Sequence, residues 1–379
     1  MGKRVGIVAL LILVSLVAAT GCAVKKPEPP YSIWPLFPNE PRLVFQNAYT
    51  GGEDIKAPVF FDYILGKPSR SDFTKPYGVF ADQGKIYIVE SQPLRPQLVV
   101  LNTAKERTSI ISGGDFGVFK SPIGVVAAPN GDIYVSDSVR GSVYVFDKDG
   151  DYQTTLDKPG AFKKPAGMAL DNNLKRIYIA DTGANTVYAY SLSGNHLFSI
   201  GSPGNGPGNL HGPTNVAVNT GNGNVVVVDT LNWRVQVFDS DGKFVRTFGE
   251  IGDGPGQFTR PKGVGIDSEG HIYVVDAAFD NIQIFTSEGQ FLGSFGSTGA
   301  NPGYFFNLPA GLYIDGSDKL YVTEQLNGRV QVFQYLSDAW KKANPQAFAE
   351  IKKRQEEELD KIKKMLEQGK LNKKKKKDE

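Results

Sequence analysis

The sequence GVGIDSEGHIYVVDAAFDNIQIFTSEGQFLGSFG, residues 263–296, contains four short segments in which apolar and polar residues alternate. These segments are GVGID, HIYVVD, NIQIF and QFLGSFG, and the turns DSEG and TSEG between them each end in glycine. Alternation with a period of two is typical of β-strands, and short turns that contain glycine join antiparallel neighbours. The stretch therefore predicts a four-stranded antiparallel sheet of the kind found in one blade of a β-propeller.

The same unit recurs along the chain, and a Pro-x-Gly tag followed by an apolar residue marks each copy. Asparagine replaces the glycine in the fourth copy, at Asn215. The spacings between successive tags are 46, 43, 48, 48 and 48 residues, and the six tag prolines are Pro76, Pro122, Pro165, Pro213, Pro261 and Pro309. A period in the forties indicates an array of one supersecondary unit, here in six copies.

The glycine-rich loop GDGPGQF, residues 252–258, raises the alternative of a phosphate-binding loop. A phosphate loop follows a strand and opens a helix, whereas the residues after this loop alternate as strands. Similar loops lie at 204–216 and 299–312, so we interpret the glycines as turns between blades. Apolar residues ahead of the tags are expected to fill the interfaces between blades, namely Phe116, Phe162, Leu210, Phe258 and Phe305.

The units resemble NHL repeats. The family pattern of Pro-x-Gly-Val, Gly-x-Ile-Tyr-Val-x-Asp and Asn-x-Arg-Val-x-Val-Phe is nearly complete in residues 213–249 and recurs with gaps across 76–335. The resemblance implies an all-β, six-bladed β-propeller, assigned to residues 42–337. The sixth unit has three strands of its own, so we expect the segment 41–49 to pair beside Val330–Gln334 and close the ring. The stretch 59–66 is predicted to form a short helix or turn near that closure.

The N-terminus is predicted to be a lipoprotein-type signal peptide, residues 1–21, because a basic start is followed by an apolar run and then small residues. The sequence Ala19-Thr20-Gly21-Cys22 resembles the lipobox of bacterial lipoproteins, and Cys22 is the single cysteine of the chain. Lipid attachment at Cys22 and a proline-rich tether, residues 22–41, would then anchor an exported protein to a membrane. Ala23 resembles an outer-membrane sorting residue, which favours the outer membrane or the periplasmic face. The alternative is an ordinary signal peptide and a cysteine without a role.

Charge is distributed unevenly along the chain. The net charge is +2, but residues 341–379 alone carry +6, and together with Lys3 and Arg4 they leave about −6 on residues 5–340. A mildly acidic body argues against a nucleic-acid partner. Residues 338–379 are predicted to form a charged helix, ending near Gly369, and a lysine-rich tail. The tail is either a solubilising end or a contact for an acidic partner or an anionic membrane surface.

An acid closes the second strand of every unit, and these acids are expected to be structural, holding loops within each blade. A metal ring is the alternative, but unneutralised carboxylates repel one another. The six acids are Glu90, Asp137, Asp181, Asp229, Asp276 and Glu324.

The histidines bear on an enzymatic alternative, because some NHL-type propellers are lyases that hold zinc on three histidines in the channel. This chain has His196, His211 and His271, of which the first and last fall in hairpins at one end of the propeller and His211 lies at the other. We therefore predict no metal, no cofactor and no catalytic residues, and a protein that is more consistent with a non-enzyme. A metal-dependent lyase or hydrolase in the channel is the alternative function.

The loops between blades and the loops after the second strands share one end of a propeller, and binding residues are expected there. The partner-binding candidates at this end are Tyr77, Arg140, Trp233, Lys262 and Phe279. Arg234 and Arg329 lie there too, but we expect them to pair with strand-end acids. The predicted function is a monomeric, protein-binding or scaffold lipoprotein that acts on another envelope or extracellular protein. Similar lipoproteins also imply an accessory role in an envelope cytochrome system, although this chain has no Cys-x-x-Cys-His haem motif.

Overall fold

The computed structural model describes residues 32–35, 38–56, 73–157 and 160–378. The predicted signal peptide, Cys22 and the segment 59–66 lie outside these residues. No helix in the described part of the chain is long and apolar enough to span a bilayer.

Six antiparallel sheets form the blades of a propeller, and in each the strand that begins at the tag proline is innermost. Blade one contains Pro76–Asp82, Lys85–Glu90, Gln97–Asn102 and Arg107–Ile111. Blade two contains Pro122–Ala127, Ile133–Asp137, Ser142–Phe146 and Tyr152–Leu156. Blade three contains Pro165–Asp171, Arg176–Asp181, Thr186–Ser191 and His196–Ile200. Blade four contains Pro213–Val218, Val225–Asp229, Arg234–Phe238 and Phe244–Phe248. Blade five contains Pro261–Ile266, Ile272–Asp276, Asn281–Phe285 and Phe291–Phe295.

Blade six is built from both ends of the chain. Its inner three strands are Pro309–Ile314, Lys319–Glu324 and Arg329–Tyr335. Leu43–Tyr49 pairs antiparallel with Arg329–Tyr335, with Leu43 opposite Tyr335 and Tyr49 opposite Val330. The predicted closure of the ring by the N-terminal segment is thus confirmed.

A fifth strand, Ile33–Trp34, pairs with the closing strand at the outer edge of blade six. This differs from the proline-rich tether expected over residues 22–41, because its last part belongs to the propeller. Ile33 is buried and Trp34 packs against Phe295 of blade five, with 6.0 Å between the ring centroids. Burial of these side chains explains why a proline-containing segment is part of the sheet.

An aromatic or leucine side chain three residues before each tag proline fills the interface between blades. All six are at most 4% exposed, and they are Phe73, Phe119, Phe162, Leu210, Phe258 and Phe306. The expectation was wrong for Phe116 and Phe305, which are half-buried. Phe119 occupies the buried position in place of Phe116, and Phe306 does so in place of Phe305.

The glycine of the tag lets neighbouring inner strands approach closely around the channel. A Cβ on Gly311 would lie 2.2 Å from the carbonyl oxygen of Tyr77, and one on Gly124 would lie 2.4 Å from that of Ala166. Thr323 donates a hydrogen bond of 2.6 Å to the same Tyr77 carbonyl, which joins blade six to blade one. The tag therefore sets the packing of the inner strands into a closed ring.

Two helices follow the propeller, Asp338–Ala343 and Pro345–Asp378. The second continues through Gly369, so the predicted end there is wrong. Its first turns pack on the N-terminal strands, where Ile351 joins a buried cluster with Ile33 and Val44. Gln355, which interrupts the apolar pattern of the helix, is buried and donates hydrogen bonds to the carbonyl oxygens of residues 35 and 39.

The remaining elements are short. Two-stranded pairs form between Gly113–Gly114 and Gly117–Val118, and between Ser297–Thr298 and Phe305–Phe306. Short 3-10 helices cover Gly52–Ile55 and Thr230–Asn232.

Candidate functional site at the loop-rich face and channel

The acids at the ends of the second strands hold the loops that precede the tags. Asp137 accepts hydrogen bonds from the backbone N–H groups of Lys120, Ser121 and Arg140. Asp181 does the same for Lys163 and Lys164. Each acid thus ties the loop between two blades to the loop after its own strand, and the two sets of loops lie at one end of the propeller. We call this end the loop-rich face.

Two of these acids also form ion pairs inside the loop-rich face. Asp229 pairs with Arg234 at 2.9 Å, and Glu324 pairs with Arg329. Arg329 donates further hydrogen bonds to three loop carbonyl oxygens, at Ala300, Asn301 and Phe305. Both arginines are therefore engaged within the blade.

Glu90 occupies the equivalent position in blade one, where it forms no ion pair with any described residue. Its Oε2 accepts from the backbone N–H groups of Thr74 and Lys75 and from the Thr74 hydroxyl. Its Oε1 is buried and has no hydrogen-bond partner among the described residues. Burial raises the pKa of Glu90, against the lowering effect of these hydrogen bonds.

The partner-binding candidates divide between the surface and the interior. Trp233 and Phe279 are 37% and 38% exposed on the loops that follow the second strands. Arg140 is half-buried, donates to the carbonyl oxygen of Val118 at 3.0 Å and lies over the ring of Phe116. Tyr77 is half-buried and Lys262 is buried, which differs from the exposed positions expected for them.

Exposed aliphatic residues on the same loops were missed by the sequence reasoning. These residues are Leu94, Val139, Leu231 and Leu326. Each lies two to four residues after the acid that ends a second strand, and this regular spacing is the signal in the sequence that could have identified them. Leu94 is 91% exposed. With Trp233 and Phe279, they place apolar side chains on the loop-rich face in every blade except the third.

Basic side chains accompany these apolar ones. Five exposed basic residues lie one or two residues before a tag proline, where the chain enters an inner strand: Lys75, Lys120, Lys163, Lys164 and Arg260. The loop-rich face is therefore cationic around the entrance to the inner strands, although residues 5–340 as a whole are acidic.

A cavity of about 310 Å³ follows the inner strands through the centre of the ring. Tyr77, Ile123 and Thr214 line it near the tags, and Asn172 and Ser268 line it near the opposite hairpins. Its size is at the lower end of the range of small-molecule sites. Lys262 does not itself line the cavity, but its Nζ lies 5.3 Å from the centroid of the ring of Tyr77, which does.

The histidines do not come together at the channel. His196 contacts Ser199 on the outer strand of blade three, and His211 is exposed on the loop-rich face. The Nδ1–H of His271 donates to the Asp267 carboxylate at 2.9 Å in a hairpin of blade five, and this hydrogen bond raises the pKa of His271. Within the described residues, no three or more His, Cys, Asp or Glu side chains are grouped to hold a metal ion.

Comparisons with known proteins agree with this architecture. Residues 168–232 and 216–295 match the model of a family described as a 6-bladed β-propeller. The comparison with curated proteins finds no relative.

Several solved structures share the fold at low identity. An auxiliary nutrient binding protein from Bacteroides thetaiotaomicron is 14% identical over 70% of each chain, with a TM-score of 0.54. A streptogramin B lyase is 12% identical over 69% of this chain and 94% of its own, with a TM-score of 0.51. Hydrazine synthase from Kuenenia stuttgartiensis is 13% identical over 73% of this chain and all of its own, at 0.50. At such identity the likeness concerns the fold alone, and the chain is a six-bladed β-propeller, as its repeats predict.

Proposed function

We propose that the protein is a non-enzymatic binding propeller of the cell envelope, whose loop-rich face holds another extracytoplasmic protein. It acts as a monomer, exported and anchored through a lipid on Cys22. The accessory role in an envelope redox system is a finer form of the same proposal, in which the bound partner carries haem.

The exposed apolar side chains of the loop-rich face are the observation that carries this proposal. Apolar groups grouped on a surface and rimmed by charged ones are a common mark of protein interfaces. Trp233 is the strongest anchor, since tryptophan contributes disproportionately to binding. The polar groups that could instead have performed chemistry, such as Asp229 and Glu324, are occupied by internal hydrogen bonds and ion pairs.

Crosslinking in the native envelope tests the binding face. The variant Leu231→Ser with Trp233→Asn removes two exposed apolar groups, and asparagine tolerates the left-handed backbone of residue 233, at φ 52°. We expect the crosslinked partner seen with the wild type to disappear. The matched control is Leu292→Ser, which removes an equally exposed leucine from the outer strand of blade five.

Three results would count against the binding face. These are an unchanged crosslink in the double variant, an equal loss in Leu292→Ser, or a loss accompanied by a lower Tm. A captured partner without haem absorbance would contradict the redox form of the proposal while leaving the binding face intact.

The anchor is tested separately. Cys22→Ala should yield a protein of unprocessed mass or one that mild salt releases from membranes, because lipid attachment needs the thiol. A variant that stays processed and firmly membrane-bound would show that Cys22 carries no lipid.

A further inference from the structure

Lys262 is a buried cation that forms no ion pair within the described part of the chain. Its side chain is 8% exposed on the inner strand of blade five. Its Nζ contacts the ring of Tyr77 in blade one, 5.3 Å from the centroid, so the two side chains meet across the channel. No hydrogen bond or ion pair joins this Nζ to any residue that the structure describes. Buried charges in proteins are normally paired, since desolvation without compensation costs several kcal/mol.

The charged groups that face Lys262 are cations as well. Arg260 lies two residues earlier in the same blade, and Lys75 lies two residues before Tyr77 in blade one. Burial, followed by the charges of Arg260 and Lys75, lowers the pKa of Lys262 to about 8. Three cations lie close together at one end of the channel, and a bound anion would offset their mutual repulsion.

The cavity supplies room for a ligand beside this cation. Tyr77 and Thr214 line the cavity, and the Lys262 carbonyl oxygen accepts from the Thr214 hydroxyl at 3.4 Å. The Tyr77 hydroxyl has no hydrogen-bond partner among the described residues, so it is available to a ligand. The lining also contains half-buried apolar residues, among them Ile123 and Ile266.

We propose that this end of the channel binds a small organic anion. Its carboxylate, sulfate or phosphate group pairs with Lys262 and the Tyr77 hydroxyl, and its uncharged body occupies the cavity. Arg260 and Lys75 at the entrance favour the approach of an anion. The site opens at the loop-rich face between Arg260 and Lys75, and the groups that would pair with the anion, Lys262 and the Tyr77 hydroxyl, lie inside the ring.

Fluorine NMR of the full chain at low ionic strength tests the site, with 4-fluorobenzoate as the probe and fluoroacetate as its smaller counterpart. We expect 4-fluorobenzoate to bind more tightly, because its ring buries apolar area that fluoroacetate lacks. Lys262→Met should weaken binding by about tenfold or more, since it removes a charge-assisted contact. Lys243→Met, which removes an exposed lysine from a hairpin of blade four at the opposite end of the propeller, should leave binding unchanged.

The pH profile distinguishes Lys262 from a general electrostatic effect. Both probes keep a constant charge above about pH 6, so binding to the wild type should fall as pH rises through about 8 and Lys262 loses its proton. Lys262→Arg keeps its charge and should bind up to a higher pH.

Equal affinity of the two probes, or wild-type affinity in Lys262→Met, would overturn the proposal. A third result would also overturn it: neither probe binds to the wild type, and Lys262→Met loses the protein crosslink. The occupant of the site would then be an acidic side chain of the protein partner.

Discussion

Glu90 and Glu324 show how one repeated position has acquired two electrostatic environments. Both are buried acids at the end of a second strand, and both accept backbone hydrogen bonds from the loop before the tag. Glu324 also pairs with Arg329, which is itself only 5% exposed. Removing one member of a buried pair leaves the other charge uncompensated. Glu90 forms no ion pair with any residue that the structure describes, and the charge of Arg95 has only a minor effect on its pKa.

We therefore predict opposite outcomes for the same substitution at the two positions. Glu324→Gln should lower the free energy of unfolding by about 3 kcal/mol or more, because Arg329 loses its carboxylate. Glu90→Gln should be neutral or stabilising near pH 7, because it removes a charge that burial disfavours and keeps an oxygen for the backbone N–H groups of Thr74 and Lys75. Denaturant unfolding measures both, and equal losses would contradict this account.

His271 predicts a pH dependence of stability. Its hydrogen bond to Asp267 raises its pKa, with help from the charges of Asp267 and Glu269 and against the effect of burial. A histidine whose pKa is higher in the folded state stabilises the protein below the unfolded pKa, and this contribution is lost as pH rises through the folded pKa. The Tm difference between wild type and His271→Gln should thus be larger near pH 5.5 than near pH 9. A difference independent of pH would show that packing, and not charge, holds the residue.

At the scale of elements, the edge of blade six is protected by strands from the other end of the chain. Unpaired backbone groups of Arg329–Tyr335 would be exposed without Leu43–Tyr49, and exposed sheet edges promote aggregation. Joining the two ends of a ring also makes the unfolding of each blade depend on the others.

Deleting the chain through residue 49 should lower the Tm sharply, with loss of the buried Leu43 and Val44 as well as the ladder of hydrogen bonds. The matched control begins at residue 32 and keeps both N-terminal strands, so we expect it to melt as the longer chain does. Calorimetry compares the two. If both melted at the same temperature, blade six would be stable without its closing strand.

At the scale of the whole molecule, the C-terminal helix has two parts with different roles. Its first part is bound to the N-terminal segment, where Ser32 donates a hydrogen bond to Glu358 and Lys341 pairs with Glu40. The lysines after residue 369 give the end of the chain a strong positive charge. A deletion of residues 341–379 would thus remove a structural contact together with the basic end.

A deletion of residues 362–379 separates the two effects. With Cys22 mutated in both proteins, the truncated chain should keep its Tm and bind vesicles of anionic lipid more weakly at low salt, since each lysine near such a surface contributes about 1 kcal/mol. Cosedimentation at low and high salt measures this. Equal binding by the two proteins at low salt would show that the tail does not contribute to membrane binding. A lower Tm of the truncated chain would show that residues after 361 also stabilise the fold.

The sequence alone was sufficient for the fold, because a propeller is a local unit repeated with a regular period. Each blade consists of neighbouring strands, so alternation, glycine turns and the Pro-x-Gly tag specify it within about 45 residues, and the missing strand of the sixth unit pointed to the segment 41–49. The pairing of Arg234 and Arg329 with acids five residues earlier followed from the same local register.

Only the tertiary structure decided how deeply individual side chains are buried at the loop-rich face and at the interfaces between blades. Lys262 was expected on the exposed face, yet it is buried because the ring brings it against Tyr77, 185 residues earlier in the sequence. Phe116 was named in place of Phe119 because both are aromatic and precede the same tag, and burial depends on the position of the next blade. The docking of Gln355 on residues 35 and 39 likewise joins the two ends of the chain. Contacts of this kind depend on how the blades close into a ring, which no local pattern of residues encodes.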